Sequence, residues 1–110
     1  MYYVKKRLEI SAAHRLALSY ESKCSLLHGH NWIVTVECRS KELNSDGMVE
    51  DFTHIKNNIM GMLDHKIIND VVDFNPTAEN LARWIADMIP TCFRCEVQES
   101  EGNIAAYEKD

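Results

Sequence analysis

The sequence predicts an α+β fold with the element order β-β-α-α-β-β. Three observations carry this. Apolar residues alternate near both ends of the chain, two central segments repeat them at helical spacing, and strands come in runs instead of alternating one by one with helices. A chain of 110 residues with 45% hydrophobic content suits one compact core, so a single domain over residues 1–110 is expected. A domain of this size buries only about two-thirds of its unfolded surface, which makes oligomerisation a natural further source of stability.

Each element follows from local pattern. Residues 3–12 alternate, with Val4, Leu8, Ile10 and Ala12 on one side and Tyr3, Lys5, Arg7 and Glu9 on the other; only Lys6 breaks the order. A polar, irregular stretch from Arg15 to Leu27 precedes a second alternating segment, Asn31 to Arg39, whose apolar face carries Trp32, Val34, Val36 and Cys38. Asn44-Ser45-Asp46-Gly47 is turn chemistry, because Asn, Asp and Gly accept positive φ and local side-chain bonding. Met48 and Val49 are expected to leave that turn as a short extended piece. Thr53 is the expected N-cap of the first helix, which carries Ile55, Ile59, Met62 and Leu63 at helical spacing. Asn75-Pro76-Thr77 opens the second, whose stripe is Leu81, Trp84, Ile85, Met88 and Ile89, and Pro90 ends it. Phe93, Cys95, Val97 and Glu99 then share one face of a strand, and Glu101-Gly102-Asn103 turns the chain into a last strand, Ile104 to Tyr107.

Composition excludes several function classes. The net charge of −5 leaves no concentrated basic surface for phosphates, so no nucleic-acid partner is expected. The one basic cluster, Lys5-Lys6-Arg7, reads as a solvated sheet face. The N-terminus has no signal-like apolar core and no segment has membrane-spanning length, so a cytoplasmic protein with no membrane partner is expected. In that reducing setting Cys24, Cys38, Cys92 and Cys95 are expected as free thiols. Cys38 reads as core. Cys92-x-x-Cys95 has redox-motif spacing, but three positions along a regular strand put the thiols on opposite faces, so packing is expected there too. His54, on the first turn of a helix, reads as solvated.

The residues that carry chemistry lie elsewhere. His28-Gly29-His30 places two imidazoles on one strand face, and Gly29 suits a tight backbone with nothing to obstruct a ligand. If the first strand runs on without a bulge, His14 joins the side of Leu8, Ile10 and Ala12. Three neutral imidazoles suit Zn2+ at about 2.0–2.1 Å and keep a fourth position open for water or substrate. An isolated H-G-H pair is weak evidence, and a lone His14 ordinarily just satisfies its own hydrogen bonds, so the neighbours decide. Cys24 sits in a polar loop four residues before His28 and has two readings. It is a reactive thiolate favoured by the nearby dication and Lys23, or it is a fourth ligand that closes the site. Asp64 either fixes the tautomer of His65 for acid–base work or only caps the helix end. Glu99, a carboxylate on an apolar face, needs a partner such as a donor-rich ligand.

Six motifs in order, nearly end to end, add up to more than their parts. They are Ser11-Ala12-Ala13-His14, Cys24-x3-His28-Gly29-His30, Gly47-Met48-Val49-Glu50-Asp51-Phe52, Leu63-Asp64-His65, Pro76-Thr77-Ala78-Glu79-Asn80 and Val97-Gln98-Glu99. Together they resemble the 6-pyruvoyl-tetrahydropterin synthase family, and within it the bacterial 6-carboxytetrahydropterin synthases of the queuosine (7-deazaguanine) pathway, which share the three-residue gap between Cys24 and His28. The resemblance implies a tunnelling fold: an antiparallel four-stranded sheet with two helices on one face, trimerised into a barrel and stacked as a homo-hexamer with active sites between subunits. It implies Zn2+ on His14, His28 and His30, Cys24 as general base, His65 oriented by Asp64 as proton relay, and Glu99 as pterin anchor with Thr77 and Glu79 nearby. The implied reaction turns 7,8-dihydroneopterin triphosphate into 6-carboxy-5,6,7,8-tetrahydropterin, acetaldehyde and triphosphate. A pyruvoyl-type synthase that keeps the three-carbon side chain, or a non-catalytic zinc-binding scaffold, would use the same framework. Ile68 and Ser100 depart from the family pattern, and the triphosphate partner stays open among Arg15, Lys23 and Lys66.

Overall fold

The computed structural model describes all 110 residues. Strands β1 (Tyr2–His14), β2 (His28–Ser40), β3 (Lys66–Ile67), β4 (Cys92–Ser100) and β5 (Asn103–Glu108) form one sheet in the order β3-β1-β2-β4-β5. Helices α1 (Phe52–Leu63) and α2 (Ala78–Met88) pack on the face that carries Leu8, Ile10, Val34, Val36 and Val97, and a cluster of 22 buried residues joins helices to sheet. The α+β class is as expected. The sheet, however, has five strands where four were anticipated, and the extra one runs parallel to β1 through Ala12↔Lys66 and Ala13↔Ile67. Two residues have no periodicity to read. They lie beside β1 because the preceding Asp64 and His65 are bonded to the backbone of Ser11, through Ser11 N–H to Asp64 Oδ1 at 3.0 Å and His65 N–H to Ser11 O at 2.6 Å.

The β1–β2 hairpin is longer than its apolar alternation. Its register pairs Leu8 with Val34 and Ile10 with Trp32, then continues to Ala12↔His30 and His14↔His28 without a bulge. Hydrophobicity stops marking the inner face where histidines replace aliphatics, so the strands outrun the expected limits of residues 12 and 31. Trp32 closes the aliphatic part, buried, with its indole N–H donated across to Ala12 O at 3.1 Å.

Local chemistry shifts several boundaries. The N-cap of α1 is Asp51, whose carboxylate accepts from Thr53 N–H at 2.8 Å; Thr53 lies inside the helix, because the stronger cap residue precedes it. Met48 and Val49 form no strand: Asn44 Oδ1 accepts from both Asp46 and Met48 N–H groups and extends the turn. In α2, Thr77 is the cap, accepting from Asn80 N–H at 3.1 Å. Leu81 and Ile85 are buried as expected, but Ala82 and Ala86 flank them on the sheet side while Trp84 and Met88 lie at the margin, half-buried.

A bulge in β4 reverses one expectation. Cys38 pairs with Cys92 and Glu37 with Arg94, which leaves Phe93 without a partner. Cys92 and Cys95 therefore face the same buried side, and Phe93 turns to the opposite face, edge-on to Tyr3 at 5.8 Å and beneath the Arg39 guanidinium at 4.6 Å. All four thiols are free. The Cys38 thiol is pushed up by its hydrogen bond with Cys92 and by burial, and burial pushes Cys95 up to about 12, as befits inert packing groups. On the outer face, Lys5 and Arg94 both pair with Glu37 at 3.2 Å, so of the basic cluster the Lys5 charge is met within the sheet.

Ile85 is 1% exposed and sits between α2 and the sheet. Ile85→Ala is expected to lower unfolding free energy by about 2–5 kcal/mol. The check is a shift in urea midpoint at unchanged slope, measured at fixed protein concentration.

Candidate metal centre and active site

The hairpin register delivers the three histidines to one spot. His14 faces His28 directly across the ladder, and His30 stands opposite Ala12, whose methyl leaves room for a ring. Ring centroids are 4.6 Å apart for His14–His28, 4.8 Å for His28–His30 and 5.3 Å for His14–His30. Trp32 lies edge-on beneath them, 4.7 Å from His14. Gly29 alternates to the other face of the sheet. A Cβ there would meet only Ala12 O at 3.8 Å, an ordinary contact, so the glycine is not what clears the site.

Backbone carbonyls set the tautomers. His14 donates Nδ1–H to Pro76 O at 2.8 Å, and His28 donates Nδ1–H to Leu26 O at 2.7 Å, which frees each Nε2 lone pair. Neither carbonyl carries a sequence signal, and sequence reasoning missed both. His30 Nε2 lies 3.0 Å from Glu99 Oε1, close enough for an ion pair but not angled as a hydrogen bond; the Nε2 atoms of His14 and His30 are both buried without a hydrogen-bond partner. One donor atom from each of His14, His28, His30 and Glu99 falls within 4.8 Å of the others. A buried polar atom left unmatched costs about 1–3 kcal/mol, and two such ring nitrogens gathered beside a carboxylate are what a cation satisfies. Burial holds His14 below its ordinary value, opposed in part by its bond to Pro76 and by Glu99, and the neutral imidazole is the form that ligates. Nitrogen donors plus a carboxylate suit a divalent first-row ion.

Glu99 reaches this cluster from a second irregularity in β4, where Gln98 pairs with Ile104 but Ser100 with Asn103. The same residue lines an open cleft of about 470 Å³ with Ala78, Glu79 and Asn103. Thr77 adjoins it, its hydroxyl oxygen engaged as the cap of α2. Glu79 is exposed on the first turn of that helix.

Cys24 and His65 do not converge with the cluster in a single chain. Cys24 is half-buried in a short 3-10 turn, Lys23–Ser25, where its N–H meets Ser22 Oγ at 3.1 Å and its carbonyl accepts from Leu16 N–H at 2.8 Å. Asp64 does both things open to it. Its backbone N–H closes α1 on Met60 O, while its carboxylate takes Ser11 N–H through Oδ1 and approaches His65 Nδ1 at 2.9 Å through Oδ2. The Ser11 N–H, and after it His65, hold the Asp64 carboxyl below the usual carboxylate range. His65 is the one non-glycine residue at positive φ, 58°. That conformation costs of order 1–3 kcal/mol, offset by the bonds to Ser11 and Asp64. Its ring is 81% exposed, so the pair is ready-made but turned outward at the sheet edge. Arg15, Lys23 and Lys66 are all exposed, and Lys23 borders a broad depression of about 800 Å³ formed by the 18–26 loop.

Chelator-stripped protein is expected to take up a divalent cation with a rise in melting temperature, and His28→Ala to abolish that rise. Folded His14 binds its proton less tightly than an unfolded histidine does. The metal-free fold therefore has its full stability above about pH 6.5 and loses it as pH falls through the depressed folded value, and cation uptake weakens over the same descent. Calorimetry at stepped pH, with and without the ion, reads both.

The 6-pyruvoyl tetrahydropterin synthase family model matches residues 3–110. The chain is similar to the 6-carboxy-5,6,7,8-tetrahydropterin synthase of Bacillus subtilis, at 30% identity over 94% of this chain and 83% of that protein. It is similar to the protein of the same name from Synechocystis, at 35% identity over 97% and 93% of the two. Its backbone resembles the solved structure of Caenorhabditis elegans 6-pyruvoyl tetrahydropterin synthase with a TM-score of 0.78, covering 99% of this chain and 96% of that one at 24% identity, a likeness of fold. A family match over almost the whole length, carried by relatives of comparable size, bears out the resemblance read from the motifs: the chain belongs to the 6-pyruvoyl tetrahydropterin synthase family.

Proposed function

We propose that this chain is a zinc-dependent 6-carboxy-5,6,7,8-tetrahydropterin synthase, a lyase converting 7,8-dihydroneopterin triphosphate and one water into 6-carboxytetrahydropterin, acetaldehyde and triphosphate for queuosine synthesis. The observation that carries the reading is the cluster itself. Two buried, unpartnered imidazole nitrogens meet a carboxylate that also borders an open cleft, which joins a metal position to a place for a small polar ring. Family membership and the names borne by the bacterial relatives support the choice of a 6-carboxytetrahydropterin product.

Held by His14, His28 and His30, Zn2+ would supply Lewis acidity toward the oxygens of the substrate side chain. The rest is work for this chain's own groups. Glu99 accepts hydrogen bonds from the amino and ring N–H groups of the pterin; Glu79 lines the same cleft, and Thr77 is the chain neighbour of its lining residue Ala78. Cys24 takes the proton from carbon as general base, before the triphosphate leaves and the side chain is cleaved. His65 has Nδ1 pinned by ionised Asp64, which leaves Nε2 to give and take protons. A dyad turned outward at a sheet edge suits a site completed by another copy, and the family resemblance implies that the working enzyme is a homo-hexamer with sites between subunits. Four free thiols suit a cytoplasmic setting.

Zinc-loaded protein incubated with 7,8-dihydroneopterin triphosphate should release acetaldehyde, trapped as a hydrazone. A product that keeps all three side-chain carbons would replace this reading with the pyruvoyl-type reaction, and no turnover at all would leave a zinc-binding scaffold. Cys24→Ala is expected to lower kcat by about 10²–10⁴-fold at unchanged zinc content. Loss of the zinc instead would make the thiol a structural ligand.

A further inference from the structure

We infer that Asn69 and Asn75 are positioning residues for the loop that carries Cys24, acting as two side-chain rungs where the sheet has no strand to offer. The part assigned to Cys24 rests on the synthase reading above; the clamp rests on geometry. Past His14 the chain leaves the sheet, and up to β2 its only regular element is the 3-10 turn around Cys24. Arg15 N–H donates to Asn69 Oδ1 at 2.9 Å, and Asn69 Nδ2 donates back to Arg15 O at 2.9 Å. Two residues on, Ala17 N–H donates to Asn75 Oδ1 at 2.9 Å, and Asn75 Nδ2 donates back to Ala17 O at 3.0 Å.

Each exchange imitates a hydrogen-bonded pair of an antiparallel ladder, in which one residue gives its N–H and takes its partner's. A planar amide serves because it holds a donor and an acceptor side by side, and the backbone partners dictate which end is oxygen. Repetition at alternate positions keeps residues 15–17 extended and leaves Leu16 facing the other way, where its N–H donates to Cys24 O at 2.8 Å. A segment held by four bonds thus tethers the residue next in line for proton transfer.

The rungs stand on firm supports. Asn69 belongs to a 3-10 turn, Ile68–Asp70, anchored by buried Ile68. Asn75 precedes Pro76, whose carbonyl orients His14, and its own carbonyl accepts from Thr77 N–H at 2.8 Å and Asn80 Nδ2 at 3.0 Å. One short segment therefore sets the tautomer of a candidate ligand and the path of the thiol loop together.

Asn69 is the cleaner test, being farther from Pro76. In zinc-loaded full-length protein, Asn69→Ala is expected to lower kcat about 10–100-fold with KM changed less than about threefold, as misplacement of a reacting group does. Zinc content should stay at the wild-type level, the Arg15, Leu16 and Ala17 amides should exchange faster, and the rate of Cys24 alkylation by iodoacetamide should change. Asn69→Asp, equal in size, keeps the acceptor but sets an oxygen against Arg15 O; it should fall on the same side as Asn69→Ala and serves if the alanine variant does not fold. Unchanged amide exchange overturns the clamp, and faster exchange at normal kcat overturns its positioning role. Loss of zinc along with turnover overturns it as well, since the residue would then support the whole site. If the wild type turns over no pterin, the synthase reading falls by itself, and the clamp is judged on amide exchange and Cys24 alkylation: both altered supports it, either one unaltered overturns it.

Discussion

The pairing register between β1 and β2 is the constraint on which this structure depends. Side chains alternate with period two along a strand, so a slip of one residue would turn every inner side chain outward. Leu8 with Val34 and Ile10 with Trp32 make that slip prohibitive, because all four are buried against the helices. The rungs beyond them inherit the register at no further cost: Ala12 with His30, then His14 with His28. Core and candidate metal centre are thus successive stretches of one ladder, and Trp32 marks the junction.

Around that ladder, the site is finished by backbone groups. Pro76 and Leu26 present carbonyls to ring nitrogens, and Ser11 presents its N–H and its carbonyl to Asp64 and His65. Such partners tie distant stretches of chain to the hairpin end. They also explain why a buried, neutral His14 is tolerated: one nitrogen is satisfied, and the other is kept for a ligand. The outer face of the same sheet is held differently, by a network in which Glu37 serves both Lys5 and Arg94.

The chain divides its chemistry between two places. Three imidazoles and Glu99 converge on the inner face, whereas Asp64 and His65 are assembled at the sheet edge and look outward. A left-handed histidine is an unfavourable conformation to hold unless its orientation matters. That division agrees with the size argument, in which a small chain gains from association.

Much of this was legible in the residues. The inner faces of β1 and β2, the main stripe of α2, and the histidine pair two apart all follow from periods intrinsic to strand and helix, which a sequence carries locally. Boundaries were less so: the hairpin ends were hidden because histidine is not apolar, and two cap residues two positions apart, Asp51 and Thr53, competed for the start of α1. The facing of Cys92 and Phe93 depended on one unpaired residue, which leaves no trace in composition. By itself, then, the sequence determined which side chains share a face wherever strand and helix run without a bulge, and the family to which their order belongs. Only the tertiary structure decided that Glu99 stands beside His30, that His65 points away, and that carbonyls of Pro76 and Leu26 choose the tautomers. Those outcomes rest on register between strands far apart in sequence and on backbone groups that every residue possesses, so no residue type announces them.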